Sequence, residues 1–299
     1  MNSKPDSPGM GIAFMTVGML LIPAMDAIAK HLGQHLSPMQ ITWGRFFFQF
    51  LFTGVAIVFA LSTKALFPSR PVIHAVRGLL LAIATTFFFF SLLYLPLADA
   101  IAIFFIQPML LTALSALFLG EKIGWHRRIA VLTGFAGAML IIRPGSESFA
   151  LASLLPLGAA AFFAGYITLT RSVANIDHPL TMQFSSSISA MLLLSIALAL
   201  AYFSENPLFT PQLPSMTQWS WLATVGIIST LGHLLVVIAL NRAPASLLAP
   251  FSYLEIVSAT ALGWLIFNDW PTTMSWVGIV VIVCSGMYTF VREQRQSAH

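Results

Sequence analysis

Charge is what this chain has least of. Only 8% of its 299 residues are Asp, Glu, Lys or Arg, against roughly a quarter in a soluble domain, and its mean hydropathy is +0.88. So few charges cannot cover a water-facing surface, which excludes a soluble enzyme. Cysteine is nearly absent: a lone Cys284 permits neither an intramolecular disulfide nor a Cys-based zinc centre. The phosphate-cradling pattern G-x-x-x-x-G-K-[ST] does not occur, so ATP-driven transport within this chain has no support. No metal or other cofactor is expected. His31 and His35 have helical spacing, but Gly33 and the approaching loop end the helix between them and a third ligand is lacking.

What is present is apolar sequence. Runs long enough to cross ~30 Å of hydrocarbon as helices lie near 9–33, 38–62, 70–94, 98–119, 124–143, 150–171, 179–203, 217–240, 245–267 and 273–292. They predict an all-α polytopic membrane protein with ten transmembrane spans. Barrel strands are excluded, because the runs are too long and do not alternate. The first run follows MNSKPDSP and lacks a small-residue cleavage site, so it is read as a retained span and not a removed signal peptide. Ten spans put both termini on one side. Lys4, Lys64, Arg70, Arg77, Lys122, Arg127, Arg128, Arg171, Arg242, Arg292 and Arg295 fall on that side, and only Lys30, Arg45 and Arg143 fall opposite. The positive-inside rule therefore predicts cytoplasmic termini. The net charge of +4 arises mostly from this bias and does not indicate a nucleic-acid partner.

The sequence also repeats. A shift of 148 positions lays PLADAIAIFFIQPMLLTALSALFLGEKI (96–123) over PASLLAPFSYLEIVSATALGWLIFNDWP (244–271), and a shift of 141 lays Lys30 and Pro38 over Arg171 and Pro179. Two repeats follow, 9–143 and 150–292, of five spans each. An odd number of spans turns the second copy upside down in the membrane. Such inverted repeats characterise secondary transporters, which hold substrate near the midplane between the halves.

Within this frame Glu255 stands out, set in APFSYLEIV near the middle of span 9 with Gln107 as its counterpart in span 4. An intramembrane carboxylate costs about 2.5–3.5 kcal/mol on insertion scales, so it should face a cavity or a partner. It is expected to bind a cationic or zwitterionic substrate or a coupling proton; a protonated structural carboxyl is the competing role. Ser252 and Phe251 share its face if the helix is continuous. Depth from the turn near Asn241-Arg242 makes His233 its expected partner; alternatively, His233 is a buried neutral ring bonded to Ser229. Asp26 and Lys30 lie at i, i+4, and Arg45 matches Asp26 in depth across the Gly33–Pro38 turn, which predicts a structural ion pair on Asp26. Asp26 alternatively helps to hold a substrate ammonium. Lys30 and Arg171 are expected to snorkel at helix ends. Gln107-Pro108, Tyr166, Tyr253 and Trp264 are candidates for the cavity wall, where aromatics stack on a ring or cation; lipid contact is the competing role for each aromatic. The run TTFFFFS (85–91) is too uniform to show an inward face. Gly134 and Gly137 in span 5, with Ser285-Gly286 in span 10, are small enough for close helix contact, within the chain or in a homodimer.

MDAIAKHL ending span 1, WGRFFF in span 2, FLGEKI after span 4 and YLEIVSATALGWLIFNDWP in span 9 together resemble the drug/metabolite transporter superfamily, in its ten-helix branch with two EamA repeats. The resemblance covers essentially the whole chain. SRPVIHAVRGLLL (69–81) and APFSYLE (249–255) look most like S-adenosylmethionine carriers, while riboflavin importers and opine-metallophore exporters are built from the same kind of repeats. The resemblance implies an inner-membrane carrier that moves small metabolites by alternating access. The expected function is secondary transport of a small polar or zwitterionic amino-acid-derived metabolite. Its expected partners are the lipid bilayer, the substrate and a coupling proton. Two other classes compete. An intramembrane enzyme using Glu255, His233 and Asp26 as acid/base groups lacks a motif such as H-E-x-x-H or G-x-S-x-G, and a small-molecule channel is the second.

Overall fold

A computed structural model describes residues 8–111, 125–142, 147–173, 176–203, 206, 209–243 and 245–297. FLGEKI, Arg143 and the junction between the repeats lie outside the described residues. Proline opens many of the helices, where its fixed φ and missing N–H cost nothing. The helices are α1 (Pro8–Leu32), α2 (Pro38–Ala60), α3 (Pro71–Ser91), α4 (Leu97–Phe104), α5 (Trp125–Ile142), α6 (Glu147–Val173), α7 (Pro179–Tyr202), α8 (Met216–Arg242), α9 (Ala245–Ser252), α10 (Leu254–Phe267) and α11 (Thr273–Ser297). Ser37 caps α2 by accepting from the Gln40 N–H, and Ser215 with Gln218 forms a full capping box on α8, satisfying N–H groups that helix starts leave orphaned.

Every regular element among the described residues is helical. Seven helices are long and apolar enough to cross a membrane, and three shorter apolar ones, Leu97–Leu111, Leu132–Ile142 and Thr273–Tyr288, complete the set. Val55, Phe59, Ile196, Leu200 and Leu265 are among many large apolar side chains exposed on the outer surface, as lipid contact requires. The chain is an all-α polytopic membrane protein.

The helix pairings map onto themselves when the two halves are exchanged. α1 packs on α8 as α6 packs on α3; α2 packs on α8 as α7 packs on α3; α1 packs on α10 as α6 packs on α4; and α2–α7, α4–α10 and α5–α11 pair across the exchange axis. Because each half holds an odd number of spans, that axis lies in the membrane plane.

Spans 4 and 9 depart from the sequence expectation of continuous helices. α4 ends at Phe104 and α9 at Ser252, each after eight residues and 148 positions apart. At both ends i−3 bonds replace i−4 bonds. Ile106 N–H donates to Ile103 O at 3.1 Å and Met109 N–H to Ile106 O at 3.0 Å, while Tyr253 N–H donates to Pro250 O at 3.4 Å and Ile256 N–H to Tyr253 O at 3.1 Å. Pro108 explains the first break: it has no N–H to offer, and its ring opposes the carbonyl of Phe104. Pro250 deprives short α9 of one of its few hydrogen bonds. The two break residues, Phe105 and Tyr253, meet with ring centroids 5.4 Å apart, so the interruptions face each other across the axis.

The small residues of spans 5 and 10 are used inside the chain. Gly134 lies under Met109, Gly286 under the Tyr253 hydroxyl, and Gly137 against Gly278. A Cβ on Gly278 would stand 2.7 Å from Gly137 O and 2.5 Å from Ile141 Cγ1, whereas one on Gly263 would meet nothing nearer than 3.5 Å. Gly278→Ala should therefore lower stability by about 1–3 kcal/mol through overpacking, with Gly263→Ala near wild type. Thermal unfolding of both variants in detergent checks this.

Candidate binding site at the broken helices

The break at Tyr253 places Glu255 in the first turn of α10. The positive end of a helix dipole favours a carboxylate there and offsets part of its burial cost. Asp26 from α1 lies within electrostatic reach of Glu255, as does Arg45 from α2 of Asp26, and His233 from α8 and Tyr166 from α6 of Arg45. Asp26 and Arg45 are buried. Glu255 and His233 are half-buried.

Two sequence expectations are corrected. Among the described residues no ion pair within 4.0 Å joins Asp26 to Arg45 or to Lys30. Arg45 is tethered elsewhere: Nε donates to Ser229 Oγ at 2.8 Å and Nη1 to Thr85 Oγ1 at 2.7 Å. Matched depth holds, but the hydroxyls of α3 and α8 claim the guanidinium. Lys30 does not pair with Asp26. It reaches Asp269 Oδ2 at 2.5 Å, donates to Leu95 O at 3.1 Å and lies over the Phe267 ring. Asn268 makes this possible by taking a left-handed φ of 57° with its N–H on Trp264 O at 3.0 Å, an αL cap, while the Asp269 N–H returns to Gly263 O.

His233 and Glu255 do not pair either. His233 Nδ1 lies 2.7 Å from Ser229 O; a carbonyl only accepts, so Nδ1 carries a proton. Gln107 is half-buried just past its own break. Ser252 lies on α9, across the break from Glu255, so the two do not share a continuous helical face. Tyr253 meets Phe105 in a tilted ring contact, and Trp264 is 51% exposed beside Trp270 on the outer surface.

A second polar network escaped the sequence reading. Ser69 donates to Asp177 through its backbone N–H and its hydroxyl, His74 Nε2 donates to Asp177 Oδ2 at 2.9 Å, and Arg77 Nη1 donates to His74 Nδ1 at 2.7 Å. Arg77 Nε continues to Thr170 Oγ1 at 2.9 Å, with the guanidinium over the Tyr166 ring at 5.1 Å. The chain of donors is self-consistent only for a neutral His74 protonated on Nε2, since arginine cannot accept. The i, i+3 pair His74 and Arg77 at the entry to span 3 was the available signal. Thr85, inside the run TTFFFFS, had none.

Burial alone would raise the Asp177 pKa, but the hydrogen bonds from Ser69 and His74 outweigh it and hold the carboxyl below the usual carboxylate range. Its stabilising contribution is thus complete above the ordinary value of about 4 and is lost as pH falls through the depressed one. Asp177→Asn should lower the melting temperature by a constant amount at neutral pH, the difference shrinking only in acid. Melting curves of both proteins across pH check this.

A polytopic membrane protein with two inverted halves, whose broken helices meet at a buried polar cluster, has the architecture of a small-molecule transporter. The sequence profile described as the EamA-like transporter family matches residues 9–143 and again 150–291. The chain belongs to that family. It is 27% identical over 298 residues to an S-adenosylmethionine uptake transporter of Rickettsia bellii, covering 99% of this chain and 98% of the relative. A riboflavin transporter of Vibrio cholerae is 33% identical over 229 residues, covering 75% and 73%. A pseudopaline exporter of Pseudomonas aeruginosa is 29% identical over 209 residues, covering 70% and 71%. A solved crystal structure superposes with a TM-score of 0.65 at 19% identity, covering 97% of this chain and 99% of the other, a likeness of fold. Family and relatives alike point to a transporter and not an enzyme.

Proposed function

We propose that this chain is an inner-membrane secondary transporter that carries a small polar or zwitterionic amino-acid-derived metabolite by alternating access. The observation that carries the proposal is Glu255 at the start of a half-helix, at the symmetric break and within reach of Asp26. Two acidic groups enclosed in the membrane and lacking a contacting counter-ion favour a cationic group, or a proton exchanged for it. The full-length match to an S-adenosylmethionine transporter supports an amino-acid-derived cargo, and the pseudopaline relative supports the same class. Gln107, His233, Tyr166, Tyr253 and Ser252 are the further candidates for the cavity wall. In this reading the repeats 9–143 and 150–292 are the units that rock against each other, and both termini are cytoplasmic.

Reconstituted protein should show saturable uptake and counterflow with one of S-adenosylmethionine, riboflavin, aromatic amino acids or opine-type chelators. A channel would show neither. Glu255→Gln keeps the side chain's shape, so it should fold normally while uptake falls tenfold or more, or its pH dependence disappears. An unchanged rate, affinity and pH profile would remove Glu255 from the mechanism. Orientation has a separate check in a Cys284→Ser background: cysteines at 205 and 269 should react with an impermeant reagent from outside, and cysteines at 64 and 126 should not.

A further inference from the structure

Arg45 keeps a guanidinium at 4% exposure inside the membrane with no carboxylate in contact among the described residues. Its two hydrogen bonds among the described residues go to neutral hydroxyls, Ser229 and Thr85, through Nε and Nη1, and its guanidinium lies over the Phe46 ring at 5.1 Å. Arg77, at 2% exposure, is likewise held by neutral partners, Thr170, His74 and the Tyr166 hydroxyl. The Arg77 guanidinium also lies over the Tyr166 ring at 5.1 Å. The groups that face Arg45 are therefore Asp26 from α1, Thr85 from α3, Tyr166 from α6, and Ser229 and His233 from α8. Only Asp26 is acidic, and it stands off. Hydroxyls orient a guanidinium but do not neutralise it, and a buried charge without a counter-ion is costly.

A carboxylate supplies what is missing, both the charge and a two-pronged acceptor that matches the arginine fork. We propose that Arg45 receives the carboxylate of the substrate while Asp26 and Glu255 receive its cationic end. The ligand's two charged ends would then bridge Asp26 and Arg45, which no ion pair within 4.0 Å joins. This rests on the reading of the chain as a carrier of zwitterionic metabolites, and it makes a carboxylate a requirement of the cargo.

The experiment measures uptake into proteoliposomes of S-adenosylmethionine and of tryptophan, each beside its decarboxylated form, with riboflavin as a carboxylate-free ring. Wild type should prefer the carboxylate-bearing member of at least one pair tenfold or more. Arg45→Gln should bring that preference within about twofold by weakening only the carboxylated member; this magnitude follows the loss of one charge-assisted bidentate contact. Arg45→Lys, which keeps the charge without the fork, should fall between. Retained uptake of the decarboxylated form by a variant shows that it folds. If Arg45→Gln does not fold, the wild-type ratio and Arg45→Lys still decide. Equal handling of both members by wild type, or equal weakening of both by Arg45→Gln, overturns the carboxylate site alone. Uptake of riboflavin and of neither zwitterion overturns the zwitterion reading and this site with it.

Discussion

A helix interrupted inside a bilayer exposes backbone groups that no lipid can satisfy. This chain interrupts two, at positions related by its repeat, and turns the interruptions toward each other so that Phe105 and Tyr253 close the contact. Tightened i−3 bonds take up part of the lost hydrogen bonding. What remains are helix starts aimed inward beside Gln107 and Glu255, with the dipole of α10 behind the carboxylate. The setting of Glu255 depends on this constraint: in an unbroken span 9 it would sit mid-helix without the terminal N–H groups.

Around that point the charges are arranged by neutral polar neighbours. Arg45 is fixed by hydroxyls from α3 and α8, and His233 by a carbonyl one turn back. Asp26 lies within electrostatic reach of Glu255, and among the described residues no cation is in contact with either. Such an arrangement gives up the stability of a closed ion pair. It also joins the halves, because Asp26 and Arg45 come from the first repeat and His233 and Glu255 from the second.

Two further networks hold opposite ends of the bundle. Lys30 ties α1 to Asp269 past α10 and to Leu95 before α4. Asp177 ties the connection between α6 and α7 to Ser69 and His74 at the start of α3. By the positive-inside reading the first lies outside and the second in the cytoplasm. The repeat counterparts of Lys30 and Asp269 are Arg171 and Glu121. The contacts of Arg171 and Glu121 lie outside what the structure describes.

Lipid exposure imprints itself on composition over windows of about 20 residues, so the ten apolar stretches, the two repeats and the correspondence of Glu255 with Gln107 could be read from sequence alone. Depth could be estimated as well, since it grows linearly along a helix. Rotation about each helix axis could not, because it is set by packing against neighbours distant in sequence. That is why Arg45 turned to Ser229 and Thr85 instead of Asp26, why Lys30 found Asp269 across 239 positions, and why His74, Arg77 and Asp177 came together unannounced. The breaks themselves were half visible, as Pro108 and Pro250. Only the assembled bundle, which sets the broken ends face to face where lipid cannot reach them, decided that the helices stop there.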